Sequence, residues 1–162
     1  MSRGFVKEGD QEDVPMVPPR AFLPAGVANY VTPTGMDLLL QERNDLIAER
    51  DAIQVGGQES DARVQRNFLN AKLEVLENRI KIAKVMAPKT TGEIAFGSVI
   101  TVKMNGREMI LQIVGVDEAN AAQGKVPFTS PMAKALMGHR KGEFLDVQLP
   151  SGLRTVQVLN VE

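Results

Sequence analysis

The chain has 162 residues, of which 43% are apolar and 24% charged, the balance of a folded globular protein rather than a disordered one. It contains no cysteine, which excludes disulfides, thiolate metal sites and cysteine nucleophiles. Its net charge is −1, and residues 1–30, 31–87 and 88–162 each hold basic and acidic groups in numbers that differ by one, so no stretch has the basic excess that independent nucleic-acid binding draws on.

The opening residues lack the apolar core of a signal peptide, and no apolar run approaches a membrane span. A cytoplasmic protein with no membrane contact is expected. Residues 1–29 are polar and proline-rich, with Pro15, Pro18, Pro19 and Pro24 and an acidic cluster at Glu8, Asp10, Glu12 and Asp13. Prolines at this density oppose helix and favour extended chain, which predicts an irregular arm.

Residues 30–86 change character. Thr32 suits an N-cap and Pro33 the first helical position, where a missing N–H costs nothing. Met36, Leu39, Leu40, Leu46, Ile47 and Ile53 then form a helical stripe, interrupted by Arg43 and Arg50, whose methylene stems can cover the seam. Gly56-Gly57 is a helix stop, since glycine accepts the left-handed conformation of a C-terminal cap. Ser60 is expected to cap a second helix carrying Leu69, Leu73, Leu76, Ile80 and Ala83 in 4-3-4-3 spacing as far as about Val85. A short connection forces the two helices antiparallel, and their apolar stripes bury each other.

Residues 87–92 form a linker, and from residue 93 to 162 the periodicity becomes two. Strands are expected at Ile94–Phe96, Val99–Met104, Met109–Val114, Val126–Phe128, Phe144–Leu149 and Thr155–Leu159, bounded by Asn-Gly, Lys-Gly and Ser-Gly turns. One short helix, Pro131 to Met137, is capped by Ser130. The fold class is α+β: an N-terminal antiparallel coiled-coil hairpin, then a small antiparallel sheet domain carrying one helix.

Several sequence motifs carry a resemblance. Ile113-Val114-Gly115-Val116-Asp117-Glu118-Ala119 and Ser130-Pro131-Met132-Ala133-Lys134-Ala135-Leu136 are similar to the paired signatures of the Gre family of bacterial transcript cleavage factors. The ending Leu149-Pro150-Ser151-Gly152, the start Tyr30-Val31-Thr32 with Gly35 and Leu39, and Asn78-Arg79-Ile80 resemble the same family in the same order. The likeness covers residues 30–162. It implies an FKBP-like fold for the C-terminal domain and docking on RNA polymerase at the secondary channel. The hairpin finger would then reach the active site and meet the RNA 3′ end only within that complex. The protein would be a monomer and no enzyme itself, at most stimulating the polymerase's own RNA cleavage. It would hold no cofactor of its own, only sharing the polymerase's magnesium through two acidic tip residues. Asp117, Ser130, Pro131 and Met132 would contact the polymerase, with Met132 an exposed apolar residue after the cap.

The chain departs from the family at the tip. Counting back from Arg79-Ile80, the family's Asp position falls on Glu59, its Glu position on Ala62 and its Asn position on Arg63. Asp61 can replace the missing carboxylate only if Ser60 lies in the loop, because residues two apart do not share a helical face. Glu59 and Asp61 are thus the metal candidates, set against a simpler role offsetting the positive end of the second helix, worth about 0.3–1 kcal/mol each. The first helix is about one heptad shorter than the family pattern, which shortens the finger by roughly 5 Å at 1.5 Å per residue. Both features favour a factor that occupies the channel with weak or absent stimulation of cleavage.

Arg63 and Arg66 are candidates for RNA or channel contacts, and a solvated, salt-bridged helix face explains them equally well. Asp117-Glu118 resembles a catalytic pair but sits in a strand-end turn, where a structural or docking role is favoured. His139, the sole histidine, stands in the polar turn His139-Arg140-Lys141-Gly142, where an exposed residue without a catalytic role is expected. A Gre-related regulator of some other enzyme is the alternative. A prolyl isomerase is disfavoured, because residues 88–162 offer only Phe96, Phe128 and Phe144 to wall such a site.

Overall fold

The computed structural model describes residues 15–53 and 59–162. The chain runs along an irregular segment into β1 (Asn29–Val31) and then directly into α1 (Pro33–Asp51). Thr32 is the N-cap, its hydroxyl accepting from the Gly35 amide, and Pro33 is the first helical residue. The helix ends at Asp51, where the Ala52 amide donates to the Ala48 carbonyl and the Ile53 amide to that of Arg50. The Gly56-Gly57 stop lies outside the described residues.

The second helix, α2 (Glu59–Ile82), has 24 residues, about 36 Å at 1.5 Å per residue. Ser60 lies inside its first turn and is not its cap. The seam is that of the 4-3-4-3 spacing: Leu69, Leu73 and Leu76 are buried against Leu39 and Leu46, with Met36, Ile47, Ile53, Ile80 and Ala83 packed beside them. Polar contacts run along the flanks of the antiparallel pair. Arg43 lies 3.9 Å from Glu77, and farther out Arg50 donates to Asn70 at 3.2 Å.

At the base of the hairpin the expectation of helix to about Val85 fails. Residues Ala83–Val85 form β2, which pairs in parallel with β1, Asn29 opposite Ala83 and Val31 opposite Val85. Helical spacing cannot distinguish a last helical turn from three residues that find a strand partner. The β1 segment, more than fifty positions earlier, supplies that partner.

The C-terminal domain is a five-stranded sheet in the order β5-β4-β3-β7-β6. Its strands are β3 (Val99–Met104), β4 (Arg107–Val114), β5 (Lys125–Pro127), β6 (Phe144–Leu149) and β7 (Gly152–Val161). The sheet is mixed and not purely antiparallel, because β5 runs parallel to β4. Pro127 occupies this edge strand, where its missing N–H removes no ladder bond from the sheet interior. Ile94–Phe96 is no strand. Gly97 at φ 87° and the Ser98 hydroxyl, which accepts from the Ala95 amide, close a turn there.

One face of the sheet buries Ile100, Val102, Leu111, Ile113, Val147, Val156 and Val158, the alternate positions of their strands. The short helix α3 (Pro131–Leu136) covers this face with Ala133 and Leu136, both fully buried. Among the described residues no helix is long and apolar enough to cross a membrane.

Candidate functional site

At the finger end, Glu59 and Asp61 stand exposed in the first turn of α2. With Ser60 helical between them, successive residues turn by about 100°, so the two carboxylates leave opposite sides of the helix. A pair diverging in this way cannot close on one ion. The condition under which Asp61 would replace the vacant carboxylate is not met, and the described tip residues do not fit a shared magnesium. Among the described residues no group of three His, Asp or Glu side chains converges as a metal site. Both acids instead lie where the helix macrodipole favours negative charge. Arg63 is exposed on the same helix and Arg66 is half-buried.

At the opposite end, Ser130 caps α3 by accepting from the Ala133 amide at 3.2 Å, and Pro131 follows as an exposed first helical residue. Met132 is not the exposed apolar residue expected. It is half-buried and packs on the sheet core, because α3 turns Met132 and Ala133 inward together. The surface that α3 offers outward is therefore Pro131 and Lys134.

Asp117 and Glu118 form neither a catalytic pair nor an open docking surface. Glu118 is 9% exposed, and the Thr32 hydroxyl donates to its carboxylate, 2.5 Å from Oε1 and 2.8 Å from Oε2. The same hydroxyl caps α1, so one side chain joins the start of the hairpin to the sheet domain. The fit around it is close. A Cβ at Gly35 would lie 3.3 Å from both Glu118 oxygens, and a Cβ at Gly115 would lie 2.4 Å from the Tyr30 carbonyl oxygen. Gly115 is glycine because the β1 backbone passes over it.

The Asp117 side chain is only 5% exposed and lies between two guanidinium groups. Arg20 Nε donates to Oδ1 at 3.1 Å, and Arg79 Nε stands 3.4 Å from Oδ2. Asp117 and Arg79 are thus both engaged in this joint. Aromatic packing completes the contact: Tyr30 of β1 lies 5.6 Å from Phe128 and 6.0 Å from Phe96, which are 5.6 Å from each other. The three rings account for two of the three phenylalanines of the C-terminal domain as interdomain packing.

Arg20 and Thr32 carry this joint, and sequence spacing marked neither as a partner of residues near position 117. His139 does have an acid partner, Glu143, whose Oε2 lies 2.7 Å from Nδ1. The Arg140 backbone amide, then His139, hold the Glu143 carboxyl below the usual range. This exposed cluster lies at the turn before β6.

The site as a whole is a two-helix finger keyed by buried polar contacts onto a small sheet module. A model of the family described as transcription elongation factor, GreA/GreB, C-terminal, matches residues 89–162. GreA of Ruegeria pomeroyi is 34% identical over 104 residues, 62% of this chain and 67% of its own length. GreA of Alkalilimnicola ehrlichii is 34% identical over 105 residues, 62% of this chain and 66% of its own length. GreB of Neisseria meningitidis is 27% identical over 152 residues, 83% of this chain and 93% of its own. Among solved structures, GreA factor homolog 1 of Thermus thermophilus is 25% identical with a TM-score of 0.40, over 84% of this chain and 99% of that one. The chain spans about two thirds of the length of the GreA relatives it matches. It belongs to the GreA/GreB family.

Proposed function

We propose that this protein is a transcription elongation factor that binds RNA polymerase through its sheet domain and places the hairpin in the secondary channel as a monomer. The observation that carries this reading is the match of residues 89–162 to the GreA/GreB C-terminal domain, with an antiparallel finger keyed onto that domain. The docking surface centres on the N-terminus of α3, with Ser130 shaping the turn, Pro131 presented outward and Met132 supporting it from below. Arg63 and Arg66 lie toward the finger end, where they meet the channel wall or the RNA 3′ end inside the complex. The protein is not itself an enzyme and binds no nucleic acid on its own.

Within this reading, the finger occupies the channel without stimulating RNA cleavage. Glu59 and Asp61 diverge from the first turn of α2, so they offer one carboxylate at a time where completing a loosely held metal shell takes two. Purified protein incubated with a backtracked elongation complex tests both levels. The expected result is capture of the polymerase with the RNA 3′ end left uncut. Rapid shortening of the RNA that is abolished by Glu59→Ala would overturn the cleavage-deficient form. Failure to capture the polymerase subunits would overturn the partner and favour a Gre-related regulator of another enzyme.

A further inference from the structure

Residues 15–28 have no regular secondary structure, yet Arg20 among them is held by three side-chain hydrogen bonds. Its Nη1 and Nη2 donate to the two oxygens of Glu42 on α1 at 2.8 and 3.0 Å, while Nε donates to Asp117 of the sheet domain. The side chain is 17% exposed. The contact is returned from the second helix, since Arg79 Nη2 donates to the Ala21 carbonyl oxygen at 2.7 Å. One planar guanidinium fork thus joins the irregular segment, α1 and the sheet domain, and a second ties that segment to α2.

Glu42 lies ten residues beyond the Thr32 cap, about 15 Å up the helix at 1.5 Å per residue. A helix fixed only at its first turn, through Thr32 and Glu118, is free to pivot about that point. A second support at Glu42 removes the pivot. Pro15, Pro18, Pro19 and Pro24 restrict the segment before it docks, so holding it in place costs less chain entropy. Asp117, almost removed from water, would be a costly unpaired charge without its guanidinium partners.

We infer that residues 15–28 form a strap whose Arg20 is a positioning residue, fixing the direction of the hairpin relative to the sheet domain. The purpose of that fixed direction, aiming the finger once the sheet domain has docked, rests on the proposed function. The strap itself is testable without any partner.

The absence of native cysteines allows spin labels at Asn67→Cys on α2 and Glu108→Cys on β4, both exposed positions, in the full chain. Double electron–electron resonance should give one narrow distance distribution. Arg20→Ala should at least double its width. Arg20→Lys should fall between the two, because a single ammonium cannot reproduce the fork to Glu42 while also holding Asp117. An unchanged width in Arg20→Ala would overturn the inference. Should Arg20→Ala fail to fold, Glu42→Gln decides: it keeps Arg20 on Asp117 and loosens only the upper support, so broadening supports the strap and an unchanged width overturns it. Capture of polymerase by the unsubstituted protein is measured separately. Its failure would remove the proposed function and leave the distance result standing.

Discussion

Replacing Thr32 with valine keeps most of the side-chain shape and deletes the one hydroxyl that serves both modules. Thr32 is 3% exposed, accepts from the Gly35 amide at 2.9 Å and donates to the Glu118 carboxylate. Loss of the cap costs about 1 kcal/mol, within a range of about 0.5–2. Leaving Glu118 without this donor adds about 1–3 kcal/mol for a buried acceptor. The sum, about 2–4 kcal/mol, is a large part of the roughly 5–15 kcal/mol that holds a domain folded. In urea, with a slope of about 2 kcal/mol per molar, the midpoint should fall by about 1–2 M. Thr32→Ser retains both hydrogen bonds and should remain close to the parent. A double-mutant cycle with Glu118→Gln isolates the pair and should show a coupling of about 1 kcal/mol or more. A valine variant within about 0.5 kcal/mol of the parent, the usual range for an inconsequential surface change, would refute this account of the joint.

Gly115→Ala restricts the unfolded chain, ordinarily a gain of about 0.4–1 kcal/mol. Here its Cβ would meet the Tyr30 carbonyl oxygen at 2.4 Å, so the displaced backbone should reverse the sign to a loss of about 1–3 kcal/mol, read by denaturant unfolding. The Arg20 hydrogen bond holds the Glu42 carboxyl below its ordinary value. Its stabilisation is therefore complete above the unfolded carboxylate value of about 4.3 and is lost as pH falls through the lower folded value. Glu42→Gln should flatten that acid limb of the stability profile. The effect should stay below about 1 kcal/mol, because Glu42 is 42% exposed and water screens the pair. Pro131→Ala should weaken polymerase capture in a competition assay while leaving the sheet core intact, since Pro131 faces outward from α3.

The hairpin and most of the sheet were legible in the residues alone because their signals are local. A 4-3-4-3 run places Leu69, Leu73, Leu76 and Ile80 on one helical face whatever surrounds them, and Thr32-Pro33 and Ser130-Pro131 announce helix starts through bonds three residues long. Alternation at Val99–Met104 and Phe144–Leu149 likewise marks strands half-covered on one face. The motif around Gly115 was also visible as a family likeness, though its physical role was not.

Tertiary structure decided how those pieces are keyed together. Thr32 and Glu118 are 86 residues apart, and Arg20 and Asp117 are 97 apart. Charged and hydroxyl side chains follow no periodicity that reveals a partner at such a distance. The same limit applies to Ala83–Val85, which extends the helical pattern until β1 supplies backbone donors and acceptors, and to β5, whose three residues carry no mark of parallel pairing. It also applies to Asp61, whose separation from Glu59 depends on whether Ser60 is helical. Spacing fixes which face of an element is apolar. Only the folded chain fixes which elements meet, and with them which charges are buried.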